Sequence, residues 1–223
     1  MRNARSIDEL RGIYARLARS YDVRHALLTA RADRRGRSIV VDRTVARGDY
    51  VLDCGAGTGA TGIAAACKVG PRGKVTLFDL SDDMLDVGRK KVVAAGLQSR
   101  VTLQSGDAAH LPFADGQFDS VLSTYSLCPV ADPQQVALEL YRVTRPGGKL
   151  GVAHSVEPTQ PFVKWLAARV ETWAWHFPSL SMGCRPVDVL PTLLDAGAKL
   201  LFTKRLGVPL WPFLVFVVEK PAF

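Results

Sequence analysis

The hydrophobic pattern divides the chain at about residue 48. Before it, apolar side chains at Ile7, Leu10, Ile13, Tyr14, Leu17 and Tyr21 recur every three or four positions, which predicts one helix over 4–21 with arginines on its other face. A second helical piece is expected over about 23–35 and a third, short one over 38–45. From Tyr50 the pattern changes to short apolar runs alternating with helical stretches. The runs are 50–54, 74–79, 101–105, 120–124 and 149–155, with helices over 61–68, 82–95 and 133–143 between them. Breakers such as Pro71-Arg72-Gly73 and Pro146-Gly147-Gly148 separate the units. Strands spaced by helices indicate βαβ units and a parallel sheet. Beyond residue 155 the rhythm is lost. An aromatic helix is expected over 161–177, another helix over 186–196, and strands over 199–205 and 213–219. Leu206 to Pro212 is too short for a parallel crossover, so this last pair is expected to be antiparallel.

The first strand ends in Val51-Leu52-Asp53-Cys54 and runs straight into Gly55-Ala56-Gly57-Thr58-Gly59, followed by a helix. Strand, glycine turn and helix is the layout in which a nucleotide lies at the carboxyl end of a parallel sheet, although G-x-G also occurs as a plain tight turn. Asp79, at the end of the second strand, offers a carboxylate for ribose hydroxyls, with Ser81 the better N-cap for the next helix. Asp107, in Gly106-Asp107-Ala108 after the third strand, offers an acceptor for an adenine amino group, or a simple strand-end turn.

Composition narrows the class of protein. The 223 residues are 48% hydrophobic and 22% charged, as in a soluble globular protein, and no apolar run reaches the roughly 20 residues of a membrane span. Acids interrupt the N-terminal segment, so it does not read as a secretory signal. Four dispersed cysteines without C-x-x-C argue against a disulfide framework or zinc site and for reduced, cytoplasmic thiols, with Cys128 read as a small buried residue. The net charge of +8 is uneven: residues 1–50 carry 12 Arg against 6 acids, residues 51–150 balance, and the remainder adds +2. A basic N-terminal segment suits an anionic membrane surface or substrate, or is a solvated helix face.

The run Val51–Gly59, Phe78-Asp79-Leu80-Ser81 with Met84-Leu85, Gly106-Asp107-Ala108, Leu111-Pro112-Phe113 with Phe118-Asp119, and Leu140-Tyr141-Arg142-Val143 with Arg145-Pro146-Gly147-Gly148 resembles the successive motifs of class I S-adenosylmethionine-dependent methyltransferases across residues 50–155. Tyr14-x-x-x-Ala18-x-x-Tyr21-Asp22 resembles the opening of the ubiquinone/menaquinone-type C-methyltransferases, in which the tyrosine belongs to a lid. The resemblance implies an α/β, Rossmann-like sheet of order 3-2-1-4-5-7-6 with strand 7 antiparallel. It implies a helical cap over residues 1–48, a methyltransferase domain over 49–223, and a substrate-side lid over 156–185. It implies S-adenosylmethionine as the methyl donor, held by Tyr21, Asp53, Gly55, Ala56, Gly57, Gly59, Asp79, Leu80, Met84, Gly106, Asp107, Ala108 and Ser123.

The acceptor is less well marked. A carbon or hydroxyl nucleophile wants a base, and His154 at the end of the fifth strand is the first candidate, followed by Tyr125, His176 and His25. Phe162, Trp165, Trp173, Trp175 and Phe177 would line a hydrophobic pocket, touch a bilayer or simply pack on the sheet; Trp165, His176 and Arg185 are the candidate acceptor contacts. The Asn/Asp-Pro-Pro-aromatic motif of base-methylating enzymes is missing where the chain reads Ser123-Thr124-Tyr125-Ser126-Leu127-Cys128-Pro129, so nucleic acid is not the expected partner. A small, lipid-like acceptor is expected: a quinone-precursor ring carbon first, a phospholipid amine second. A non-catalytic cofactor-binding subunit would carry the same motifs.

Overall fold

The computed structural model describes residues 6–23, 32–174, 176 and 184–222. Its elements are α1 (Ile7–Leu17), α2 (Ala32–Thr44), β1 (Tyr50–Cys54), α3 (Ala60–Val69), β2 (Lys74–Asp79), α4 (Asp82–Ala94), β3 (Val101–Ser105), β4 (Phe118–Thr124), α5 (Pro133–Val143), β5 (Thr144–Ser155), α6 (Pro161–Ala174), α7 (Leu190–Asp195), β6 (Lys199–Val208) and β7 (Trp211–Glu219). The sheet order is β3-β2-β1-β4-β5-β7-β6. β7 runs antiparallel between β5 and β6, and the other pairings are parallel. The architecture expected from the motifs is the one observed.

Strand alternation builds two cores. One face of the sheet (Val51, Val75, Leu77, Leu122, Val215) meets Val40 and Val41 of α2, Ala65, Ala66 and Val69 of α3, and Leu85 and Val92 of α4. The other face (Leu52, Phe78, Val121, Leu150, Val152, Phe216) meets Val136, Leu140 and Val143 of α5 and Leu193 of α7. Helix starts follow local chemistry. Ser6 and Glu9 form a reciprocal capping box on α1, the Ser81 hydroxyl accepts from the Met84 amide, and Asp132 with Pro133 opens α5.

Several boundaries differ from expectation. The helices expected up to Arg35 and from Ser38 are one continuous helix, α2, from residue 32 onward; residues 24–31 lie outside the described residues. Gly36, which lies between the two expected pieces, serves close packing, since a Cβ at that position would overlap the Tyr125 hydroxyl. The hairpin β6–β7 is longer and tighter than the sequence indicates, with Val208 paired to Trp211. The helix expected over 186–196 shortens to α7, because residues 185–187 run extended and bond to Cys128 and Ser155 instead.

Candidate active site

A cavity of about 390 Å³ opens at the carboxyl ends of β1, β2 and β4, where the strand order reverses. That volume lies within the range of small-molecule sites. One wall is the glycine turn. Gly55 and Gly57 both take positive φ (70° and 54°). The Gly55 and Ala56 amides bond to the Phe78 carbonyl at 2.8 and 3.0 Å, drawing the loop onto β2. A Cβ at Gly55 would overlap Ser126, and one at Gly57 would press on Met84 at 3.1 Å. The second wall is Asp79. Its Oδ2 accepts from the Gly57 amide at 2.7 Å and its Oδ1 from the Ser81 amide at 3.0 Å. Burial pushes the Asp79 carboxyl up from its ordinary value while these amides hold it down. Each oxygen keeps a lone pair for a further donor. The third wall is Gly106, Asp107 and Ala108, with Asp107 Oδ1 accepting from the Ala109 amide at 2.9 Å.

Ten of the thirteen expected cofactor residues line this cavity: Tyr21, Gly55, Gly57, Asp79, Leu80, Met84, Gly106, Asp107, Ala108 and Ser123. Asp53, Ala56 and Gly59 do not. Gly59 caps α3 in the left-handed conformation and packs on Leu77 and Ile63; Ala56 is buried within the turn. Asp53 points the other way, into the core between β1, α3 and Arg37 of α2. It is fully buried, and neither carboxylate oxygen makes a full hydrogen bond. Burial pushes it up to about 7, with the Arg37 charge and the Gly62 amide opposing. The expectation that Asp53 faces the ligand fails because strand alternation sends Leu52 and Cys54 to one face and Asp53 to the other.

The acceptor-side expectations fare differently again. Tyr125 lines the cavity with the unusual φ of 61°. Its ring lies under the Arg37 guanidinium (5.2 Å) and edge-on to Phe213 (5.1 Å), and burial raises its hydroxyl above the ordinary value. His154 is not at the cavity. It is completely buried against Phe216, its Nδ1 lies 3.1 Å from the Ser155 carbonyl, and burial lowers its pKa. Its place in β5 puts it on the same face as Val152, inside the core, which removes it as the base. Trp165 is exposed on α6, stacked near Phe162 and under Arg169. His176 is exposed, with Nδ1 3.0 Å from the Thr172 carbonyl. Neither lines the cavity. Arg185 is a clamp: its Nη2 donates to the Val130 and Ala131 carbonyls at 2.9 and 2.7 Å. His25, Trp175 and Phe177 lie outside the described residues.

Sequence reasoning missed three features. The α1 stripe reads as packing, yet Ile7, Leu10 and Tyr14 face the cavity and close it opposite Pro129 and Val130. Asp22, beside Tyr21, accepts from Thr58 Oγ1 at 2.6 Å and from Lys91, tying the cap to the glycine turn and α4. Desolvation works upward on Asp22, but its bonds to Lys91 and Thr58 outweigh it and hold the carboxyl below its ordinary value. Arg37 reaches Thr61 and Thr124 at 3.0 Å each, bridging α2, α3 and β4 under the site. Tyr14 and Asp22 had a sequence signal, as the ends of the Tyr14-x-x-x-Ala18-x-x-Tyr21-Asp22 motif; Arg37 had none.

A reversed-order sheet with this turn and these carboxylates defines a class I S-adenosylmethionine-dependent methyltransferase. The sequence model of the ubiE/COQ5 methyltransferase family matches residues 2–182, and the chain belongs to that family. It is 37% identical to the demethylmenaquinone methyltransferase of Lactobacillus johnsonii over 203 residues, covering 89% of this chain and 81% of that one. It is 32% identical to the ubiquinone/menaquinone biosynthesis C-methyltransferase UbiE of Klebsiella pneumoniae, covering 76% and 66%. Its fold is similar to that of geranyl diphosphate methyltransferase in complex with S-adenosylmethionine, with TM-score 0.67, 18% identity and coverage of 82% and 84%. The chain is an enzyme that transfers a methyl group from S-adenosylmethionine to a small acceptor. Among the described residues no helix is long and apolar enough to cross a membrane.

Proposed function

We propose that the enzyme methylates a ring carbon of a lipid-like quinol, a reduced quinone precursor, at the end of the cavity bounded by Ile7, Leu10, Tyr14, Tyr21, Pro129 and Val130. The observation that carries this reading is the two-sided character of the cavity. One side presents Asp79, Asp107 and loop glycines, suited to ribose, adenine and an amino-acid moiety. The other presents mainly aliphatic and aromatic walls, with Ser6 and Asp132 also in the lining and, among the described residues, no lysine, arginine or histidine. The relatives' names give the same substrate class. In this reading Gly55 and Gly57 hold the methionine portion of the donor, Asp79 the ribose hydroxyls, and Asp107 with Ala108 the adenine. The donor supplies an electron-poor methyl on sulfur; the protein supplies alignment and a dry site.

The same reading gives α6 a role at a membrane surface. At 100° per residue, Phe162, Trp165, Leu166, Arg169 and Trp173 fall within an arc of roughly 100°, and this arc faces solvent: Phe162 is 72% exposed, Trp165 54% and Trp173 62%. The small side, with Ala167 at 4%, faces inward. A helix that turns its bulky apolar side outward, beside Arg169 and on a chain of net charge +8, suits an anionic bilayer interface.

The test is incubation with radiolabelled donor, vesicles of anionic phospholipid and a chemically reduced demethylmenaquinol. Label in the quinol ring is expected. Label in phospholipid amines, or none in either, overturns the acceptor assignment. Sedimentation with the vesicles should weaken with salt and with the double change Trp165→Ser, Trp173→Ser; association unaffected by both would remove the membrane role.

A further inference from the structure

Ser123 and Ser126 meet at the cavity although strand geometry should keep them apart. Both line it, and their Oγ atoms lie 2.7 Å from each other. Were β4 to continue extended, residues three apart would point to opposite faces about 10 Å from one another. The chain folds back between them at Tyr125, which among the described residues is the one non-glycine with positive φ, 61°. That conformation is unfavourable for a residue with a side chain and persists only where its surroundings enforce it. Here the Tyr125 amide donates to the Ala153 carbonyl at 2.6 Å, and its ring is held between Arg37 and Phe213. Its hydroxyl lies against α2, where a Cβ at Gly36 would overlap it. The Tyr125 side chain therefore pins the turn. The turn in turn seats Ser126 on Gly55, where an added Cβ would come to 2.6 Å from the Ser126 Oγ.

The hydrogen bonds at Ser126 have a fixed direction. Its hydroxyl donates to the Cys54 carbonyl at 3.2 Å, which uses its single proton. In the 2.7 Å contact Ser123 is therefore the donor. Ser126 Oγ keeps one lone pair for a ligand. The chain of bonds ends on a carbonyl, which takes no proton near neutral pH, so Ser126 offers a hydrogen-bond acceptor and not a base. Ser123, 1% exposed, sits behind it, while Ser126 is partly exposed. Ser6 and Asp132 also line the cavity, but both are exposed and both cap helices, accepting from the Glu9 and Gln135 amides.

We propose that Ser126 Oγ accepts a hydrogen bond from the acceptor's ring hydroxyl and so turns the ring carbon beside that hydroxyl towards the donor methyl. This rests on the quinol reading. Ser126 touches the acceptor, Ser123 fixes the direction of its hydrogen bonds, and Tyr125 is a positioning residue that acts through it. Ser126 lies where the two sides of the cavity join. It packs on Gly55, assigned in that reading to the methionine portion of the donor. It also opens the segment that runs through Leu127 to Pro129 and Val130 on the acceptor side. The nucleophilic carbons of a phenol are ortho and para to its hydroxyl. A hydroxyl anchored at this junction therefore presents an ortho carbon where the methyl must be met. Apart from the two exposed caps that end is apolar, so a ring hydroxyl entering it finds its partly buried partner in Ser126.

The experiment compares, in the full-length protein, reduced demethylmenaquinol with the ether in which the hydroxyl beside the unsubstituted ring carbon is O-methylated. The ether has no proton to offer Ser126. In the wild type kcat/KM should favour the quinol. Ser126→Ala should lower kcat/KM roughly 10-fold for the quinol and little for the ether, so the preference shrinks by that factor. Calorimetric affinity for S-adenosylmethionine should stay within about threefold of the wild type. Tyr125→Phe keeps the ring and the turn and should keep the preference, whereas Tyr125→Ala should lose it. A wild type without the preference, a Ser126→Ala enzyme that loses both acceptors equally, or a Tyr125→Phe enzyme that loses the preference overturns the proposal. A loss of donor affinity of roughly 10-fold in Ser126→Ala overturns it too, by giving the oxygen to the donor's ammonium. If the wild type methylates no quinol, the acceptor reading fails by itself. Binding then decides the Ser126 site: with S-adenosylhomocysteine present, the wild type should bind naphthol roughly 10-fold more tightly than methoxynaphthalene and Ser126→Ala should not. Equal binding of the two by the wild type overturns the site as well.

Discussion

Asp53→Asn isolates the energetic cost of the carboxylate behind the glycine turn. Asp53 is fully buried, makes no full hydrogen bond and titrates at about 7 in the folded chain, against 3.8 for an exposed aspartate. Between those values the folded protein keeps a proton that the unfolded chain has released. The unfolded state binds fewer protons, so stability falls as pH rises through this window. The contribution is fully present below about pH 4 and lost once pH passes about 7. About three pH units separate the two values, which corresponds to roughly 4 kcal/mol at about 1.4 kcal/mol per unit. Around pH 5 about 1.5 kcal/mol of this is already gone, leaving roughly 2–3 kcal/mol to be lost by about pH 8. Asparagine has the same shape and never ionises. Urea unfolding of both proteins at about pH 5 and about pH 8 should show the variant gaining on the wild type by roughly 2–3 kcal/mol between the two conditions. Other titrating groups cancel in this difference. A gap that stays constant within about 0.5 kcal/mol, or a variant that loses ground at the higher pH, refutes the account. Calorimetric affinity for S-adenosylmethionine should change less than about threefold, because Asp53 does not line the cavity; a hundredfold loss would restore it to the ligand.

Three further outcomes follow from the same geometry. Asp79→Ala removes an acceptor that orders the Gly57 amide and faces the cavity, and should weaken donor binding by roughly 1–3 kcal/mol in titration calorimetry, about 10- to 100-fold. Gly36→Ala drives a methyl into the Tyr125 hydroxyl and should cost roughly 1–3 kcal/mol in urea unfolding, with Tyr125→Phe recovering part of it in the double variant. Lys91→Met breaks the contact of Lys91 with Asp22 and Thr58; it should raise the donor KM several-fold with a smaller effect on kcat, and equal KM values would show that the cap does not depend on this tie.

The sheet and the donor half of the site were legible because their determinants are local. Glycines at positive φ, a carboxylate at a strand end and a capping serine each leave a mark at a fixed offset along the chain, and ten of the thirteen expected residues line one cavity. Two of the misses come from side-chain direction. Asp53 and His154 sit at the right height in the sheet but on core-facing positions, and a single sequence gives strand position more securely than facing when both faces are buried. The role of Gly36 left no local mark, because its close approach to Tyr125, 89 positions away, is tertiary.

The acceptor half was illegible for a different reason. In the proposed reading its walls come from two distant segments, Ile7, Leu10 and Tyr14 of α1 and residues 127–131 after β4, the second clamped by Arg185. Each segment carries ordinary apolar or small residues, and their meaning arises only where they meet. The helix after β5 shows the converse. Its aromatics were plain in the sequence, and a stripe at helical spacing is normally read as core. Here the inward side is Ala167 and the outward side holds Phe162, Trp165 and Trp173. Burial of three large aromatics would stabilise the fold by several kcal/mol, and the proposed membrane role gives their exposure a use. An apolar interface would set the lid beside the medium in which a lipid-like acceptor dissolves. In the proposed reading the donor therefore lies against the ends of the sheet strands, and the acceptor is met by elements whose exposed aromatics suit an apolar interface.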